Sequence, residues 1–218
     1  MTARMACDSS GSWQTKPSDR FVLKWIKCNL SARITPRLLC LSWLKPWMIT
    51  ASSMILGISA GVAFAAGWCL LAGFLAGVSQ IFDGVDGQYA RLTGTDSPAG
   101  AFLDSVLDRY SDGFLVLGLI VFNGRMGVPE WLLFCLGGLA LAGSGLISYS
   151  TTRADTLGIH LGTSTLASKG TRTTVVALAG ILSSLFPSAA MFALCYLALH
   201  TNGTVLYRIY VAGRSKKS

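Results

Sequence analysis

Apolar residues fall in long unbroken stretches along this chain, and the polar positions collect between them. Pro46–Phe82 carries no charge at all. A membrane-spanning helix needs ~20 mostly apolar residues, so this stretch is too long for one span and about right for two. Ala66-Gly67-Trp68 offers a tight turn near its middle. Thr173–Tyr207 is again uncharged and divides at Phe186-Pro187-Ser188. Between them lie uncharged Trp131–Thr152 and the segment Pro98–Asn123, apolar except for its carboxylates and Arg109. The pattern predicts six spans, at roughly 46–66, 68–92, 98–123, 131–152, 172–186 and 188–208.

Upstream the pattern changes. Val22, Ile26, Leu30, Ile34 and Leu38 recur at four-residue spacing, with Arg20, Lys24, Lys27, Arg33 and Arg37 on other faces. Such a stripe predicts an amphipathic helix within 18–45 lying in the membrane interface; a helix packed on the membrane domain is the alternative. Ser18 or Asp19 is placed to cap it, and Pro36 to break or kink it. Residues 1–17 are polar and read as a flexible N-terminus, and 213–218 as a basic tail. The expected fold is therefore an all-α integral membrane domain over 46–212, six transmembrane helices preceded by an N-terminal amphipathic interfacial helix.

Composition supports the membrane reading. The chain is 52% hydrophobic and 13% charged, where soluble domains carry about a quarter charged residues. Its basic residues are placed unevenly: eight Lys/Arg in 1–47, one at Arg91, three in 153–172 and four from Arg208 onward, against Arg125 alone on the opposite side. That asymmetry predicts an inner (cytoplasmic) membrane protein with both termini cytoplasmic. It also accounts for the net charge of +8 without a nucleic-acid partner. The six cysteines show no framework spacing and are expected to be free thiols. Gly57/Gly61 and Gly73/Gly77 are spaced to let helices approach closely in lipid.

Against this background the carboxylates stand out. Asp83 and Asp86 are three residues apart at the end of the second predicted span, so they share a helix face. Asp104, Asp108 and Asp112 are four apart and stack along the third. A short connection around Leu92–Ser97 makes these helices antiparallel neighbours, so the two stripes converge just below the cytoplasmic surface. Several carboxylates at the edge of a low-dielectric region need compensation, and Arg91 and Arg109 can supply two charges at most. Hard oxygen ligands suit one or two divalent cations, Mg2+, Mn2+ or Ca2+. Such cations most often meet phosphate; Gly87, Ala90 and Gly100 leave room for a ligand, and Arg91 can grip its phosphate. A purely structural ion-pair network is the alternative. A calcium loop fits badly, because its ligands alternate at every second residue. Asp96 reads as a solvated loop residue, and Asp112 as a partner of Arg109 or a wall of an acceptor pocket.

The run Asp83-x2-Asp86-Gly87-x2-Ala90-Arg91-x8-Gly100-x3-Asp104-x3-Asp108 resembles the signature of the CDP-alcohol phosphotransferase (CDP-alcohol phosphatidyltransferase) family, every fixed position matching without a change of spacing. The resemblance covers roughly 18–212. It implies transfer of a phosphoryl-linked group from a CDP-linked donor to an alcohol, with release of CMP, dependent on Mg2+ or Mn2+. It further implies that Asp83, Asp86 and Asp104 hold metal, with Asp108 helping to hold a second ion and serving as the catalytic base. Asp86, Gly87, Ala90, Arg91 and Gly100 would line the CDP site, and the enzyme would be a homodimer.

Three more cations point to the acceptor. Arg153, Lys169 and Arg172 fall at cytoplasmic helix ends and are expected to bind an acceptor phosphate. This arrangement resembles family members that use inositol phosphate, the di-myo-inositol-phosphate-phosphate synthases and phosphatidylinositol-phosphate synthases, and the "LDSVLDRYSDG" segment looks more like the first group. Those relatives often carry a cytidylyltransferase domain in front, which is not legible here, so the donor is expected from another protein. Glycerol-phosphate and sphingolipid-type acceptors are the alternatives within the family. An intramembrane prenyltransferase would need two separate Asp-rich loops, and a small cation transporter would spread its carboxylates over several helices near mid-membrane. His160 and His200 have no metal-ligand partner at useful spacing.

Overall fold

The computed structural model describes residues 27–39, 43–159, 161 and 169–214. Among these there is no strand. A π-helical turn, Lys27–Ser31, leads into a short helix α1 (Ala32–Leu38). Six long helices follow: α2 (Pro46–Ala66), α3 (Cys69–Thr93), α4 (Pro98–Arg125), α5 (Glu130–Thr156), α6 (Lys169–Ser183) and α7 (Ser188–Arg214). Each covers most of one of the six predicted stretches, and α7 continues past the expected end of its span at 208.

Local chemistry sets these limits. Pro46 and Pro98 stand at the first positions of α2 and α4, where a missing N–H costs nothing. The Ser97 side chain caps α4 by accepting from the Gly100 N–H at 3.1 Å. α2 and α3 end on Gly67 and Gly94, whose φ of 87° and 64° lie in the left-handed region.

Four helices, α2, α3, α5 and α7, are long and apolar enough to cross a membrane. α4 is long enough, but any 18-residue stretch of it contains Asp108, Arg109 and Asp112. The described part of α6 spans only 15 residues. Large apolar side chains stay exposed around the bundle, among them Phe74, Phe102, Phe134, Phe192 and Leu199. Water would not tolerate so wide an apolar surface, and lipid requires it. The protein is an integral membrane protein.

Inside, the core is built of small residues, with Ala60, Ala72, Ala76, Ala140 and Ala190 fully buried around Phe64, Leu119 and Leu194. That is the composition by which helices pack where the hydrophobic drive is absent. α2 lies against both α3 and α4, α3 against α6, and α5 against α7. At the α2–α4 crossing the backbones touch: a Cβ on Gly118 would stand 2.2 Å from the Gly61 carbonyl oxygen. At the α3–α6 crossing a Cβ on Gly73 would stand 2.5 Å from the Ala177 carbonyl oxygen. Gly57, Gly61 and Gly73 thus do what their spacing predicts. Gly77 does not, since a Cβ there would meet nothing within 4 Å.

The described part of the predicted amphipathic segment docks on α3. Ile34 and Leu38 pack against the Ile49, Val85, Tyr89 cluster. The Ser31 hydroxyl donates to the Ile81 carbonyl at 3.1 Å and the Thr35 hydroxyl to Gln88 Oε1 at 3.1 Å. Its two predicted capping residues and residues 18–26 lie outside the described residues, as do the 1–17 segment and His160. The helix ends at Leu38, two residues beyond Pro36. Cys69, Cys135 and Cys195 are free thiols.

Candidate active site

The carboxylates come together because their helices are held in register from the core outward. Ser53 of α2 and Ser79 of α3 exchange hydroxyl-to-carbonyl bonds, at 2.9 and 2.8 Å, one turn inside the site. Gln80 donates to the Gly170 carbonyl at 3.0 Å and accepts from the Thr174 hydroxyl at 3.2 Å, tying α3 to the start of α6. With α2–α4 in backbone contact, the polar end of α3 faces the stripe on α4.

Carboxylate oxygens of Asp83, Asp104 and Asp108 lie within 4.8 Å of one another. All three residues are half-buried. The Lys169 ammonium sits among them, donating to Asp83 Oδ1 at 2.6 Å and also to Asp108 Oδ1. A cation therefore already occupies the position between two of the three carboxylates, and the donor set is entirely carboxylate oxygen. Both facts suit a hard divalent ion.

Asp86 is bound differently. It is 6% exposed; Oδ2 accepts from the Thr50 hydroxyl at 2.7 Å and Oδ1 from the Gly87 N–H at 2.5 Å. It lies one helical turn from Asp83 and outside the group of three. Arg91, exposed on the last turn of α3, folds back over Gly87: a Cβ there would meet only its guanidinium, at 3.4 Å and beyond. Gly100 is similarly open, with only Ser97 Oγ close to a Cβ placed on it. Ala90 is half-buried beside them.

The three cations assigned to an acceptor phosphate have three different situations. Arg153 is exposed at the end of α5. Lys169 is engaged with Asp83 and Asp108. Arg172 is 3% exposed and donates from Nη2 to Asp112 Oδ2 at 2.8 Å. Its Nε has no hydrogen-bond partner, and the residue lines a small cavity of about 10 Å³ with Asp112, Ser144 and Thr173, room for about one water. Asp112 also faces Arg109 Nη1 at 3.6 Å. The i,i+3 spacing foretells that contact; the stronger one, to Arg172, crosses from α4 to α6 and no local pattern announces it.

Sequence reasoning missed Thr50, which reads as one more residue of an apolar helix, and Gln80 and Gln88, which brace the carboxylate helix. It also missed Arg208, which donates from α7 to Ser150 Oγ and Thr151 Oγ1 of α5, each at 2.8 Å. His200 stacks on Tyr196 with ring centroids 4.9 Å apart, away from the site.

Comparison with known proteins gives a consistent result. Residues 43–206 match the family model described as CDP-alcohol phosphatidyltransferase. The chain is 36% identical over 135 residues to a Thermococcus kodakarensis protein, "Bifunctional IPC transferase and DIPP synthase", covering 62% of this chain and 30% of that relative. It thus spans under a third of that relative's length. With the archaetidylinositol phosphate synthase of Pyrococcus horikoshii it shares 30% identity over 169 residues, 78% of this chain and 84% of the relative. The phosphatidylinositol phosphate synthase of Mycobacterium tuberculosis, solved with CDP-DAG bound, has the same fold, with a TM-score of 0.74, 23% identity and coverage of 86% of this chain and 95% of that one. The same enzyme has been solved in complex with manganese and citrate.

Proposed function

The chain belongs to the CDP-alcohol phosphatidyltransferase family, and from that premise we propose that it moves a phosphoryl-linked group from a CDP-linked donor to an inositol-phosphate-type alcohol, releasing CMP. The observation that carries the proposal is the convergence of Asp83, Asp104 and Asp108 from two helices around one cationic position. Six transmembrane helices with an amphipathic N-terminal helix, both termini and the site on the cytoplasmic side of the inner membrane, and a homodimer complete the reading.

The donor set fits Mg2+ or Mn2+, held by Asp83, Asp86, Asp104 and Asp108, and such ions would neutralise charge on the donor's pyrophosphate. Everything else falls to side chains of this chain. Gly87, Ala90 and Gly100 keep α3 and α4 bare where the cytidine diphosphate lies, and Arg91 turns its guanidinium toward the phosphates. Asp86 holds one edge of that site between Thr50 and its own backbone. Asp108, in the stripe on α4, takes the proton of the attacking hydroxyl. Arg153 and Lys169 draw the acceptor's phosphate in. Arg172 joins them by loosening its bond to Asp112.

Two donors fit the relatives. Coverage of 84% of the archaetidylinositol phosphate synthase favours a lipid CDP donor, whereas the 36% identity to the bifunctional protein favours CDP-inositol. The deciding experiment supplies purified protein with Mg2+ or Mn2+, inositol phosphate or glycerol phosphate, and either CDP-diacylglycerol, CDP-inositol or CDP-choline, and measures CMP. Release with inositol phosphate and one of the first two donors is expected. No CMP from any pair refutes the proposed reaction.

A further inference from the structure

Helix α2 has no charged residue between Pro46 and Ala66, yet it packs along both carboxylate helices. We propose that Thr50 is its contribution to the reaction: a positioning residue whose hydroxyl fixes the Asp86 carboxylate, and through it the affinity of the site for a divalent cation. The inference rests on reading Asp86 as a ligand of that cation.

The contact is built rather than incidental. Thr50 and Asp86 are both under a tenth exposed, and their 2.7 Å bond joins residues 36 apart in the chain. With Gly87 N–H on Oδ1, each oxygen of Asp86 receives one donor and keeps one lone pair. The plane of the carboxylate is thereby set, and the remaining lone pairs have fixed directions. A free carboxylate would rotate about its terminal bond among many orientations, of which few suit a metal. Thr50 itself cannot drift. Its helix is locked to α3 one turn away by the reciprocal Ser53–Ser79 bonds, and to α4 by Gly61 and Gly118. Its hydroxyl also lies 3.2 Å from the Pro46 carbonyl, so the proton has a second acceptor while the oxygen keeps its place. Partners that orient a ligating carboxylate typically change metal affinity by about 10–100-fold when removed.

The test measures Mn2+ binding to the full chain in detergent by electron paramagnetic resonance, without nucleotide, beside thermal melting of the same samples. Thr50→Val keeps the shape and removes the donor. We expect its Mn2+ Kd to rise about tenfold or more with little change in melting, and Thr50→Ser to restore binding to within about threefold of wild type. A merely structural threonine would move melting and leave Kd alone. Val binding within twofold of wild type, or Ser failing alongside it, overturns the proposal. If Thr50→Val does not fold, Thr50→Ala is judged by the same criteria. Asp104→Asn separates the two levels: its loss of Mn2+ binding, with Thr50→Val unaffected, sinks the role of Thr50 alone. Retention of binding in Asp104→Asn, or no Mn2+ bound by wild type, removes the metal reading and this proposal with it.

Discussion

Replacing Gly118 by alanine tests whether the α2–α4 crossing sets the geometry of the site. The new Cβ would lie 2.2 Å from the Gly61 carbonyl oxygen and 2.8 Å from Gly61 C and Cα, where ordinary contact begins at 3.4 Å. All three atoms are backbone, so no side chain can swing aside. The helices must part by about 1 Å, and overpacking of this kind costs about 1–3 kcal/mol. The upper end applies, because both surfaces are main chain. Gly138→Ala is the matched control: it is exposed within α5 and its Cβ would meet nothing within 4 Å. That change is expected to be neutral or to gain about 0.5–1 kcal/mol from helix propensity. Unfolding of both variants by SDS in mixed micelles, followed by circular dichroism, measures the difference. A shift of about 1 Å between α2 and α4 also displaces Asp104 and Asp108 relative to Thr50 and Asp86. CMP release should therefore fall by up to about 100-fold in Gly118→Ala under conditions where the protein stays folded. Equal stability of the two variants, or full activity in a measurably destabilised Gly118→Ala, would refute the reasoning.

Three further outcomes follow from the site. Asp108→Asn should cut CMP release by about 10²–10⁴-fold, the usual share of a general base, while CDP-donor binding measured by calorimetry persists; full turnover removes Asp108 from that role. Lys169→Met leaves Asp83 and Asp108 facing each other without their shared cation, so its melting temperature should drop below wild type without metal and recover on adding Mn2+. A gap that Mn2+ leaves unchanged would show that the ammonium and the metal do not answer the same charge. A double-mutant cycle of Asp112→Asn and Arg172→Met, read by SDS unfolding, should give a coupling of about 1–3 kcal/mol; additive effects would reduce the 2.8 Å pair to a coincidence of packing.

Much of this was legible because hydrophobic spacing and helix punctuation are local signals. Gly67, Pro98 and the Phe186-Pro187-Ser188 break mark helix ends within the few residues around them. The carboxylate stripes were legible for the same reason: Asp83/Asp86 and Asp104/Asp108/Asp112 share faces by arithmetic alone. What local spacing does not carry is which face meets which. Gly73 meets the backbone of α6, while a Cβ on Gly77, one turn on, would meet nothing within 4 Å, and spacing alone does not separate the two. The basic loop around Arg172 announces its charge but not its partner, Asp112, which lies 60 residues away on α4. Thr50 gave no signal, since a hydroxyl on an uncharged helix acquires meaning only from a carboxylate 36 residues away.

The bracing of α3 has a consequence for how the site meets its ligands. Gln80 holds the helix to α6, Gln88 accepts from Thr35 of α1, and the Tyr89 hydroxyl donates to the Leu44 carbonyl at 2.9 Å. These anchors flank Asp83 and Asp86 on both sides. The ordering entropy of that segment is thus spent during folding, before any nucleotide arrives, and little remains to be lost on association. Adjustment to a ligand is left to side chains at the margin, such as Arg91 on the exposed last turn of α3. On the proposed reading, a rigid anionic floor of this kind would accept donors with very different tails without rebuilding the place where their phosphates react.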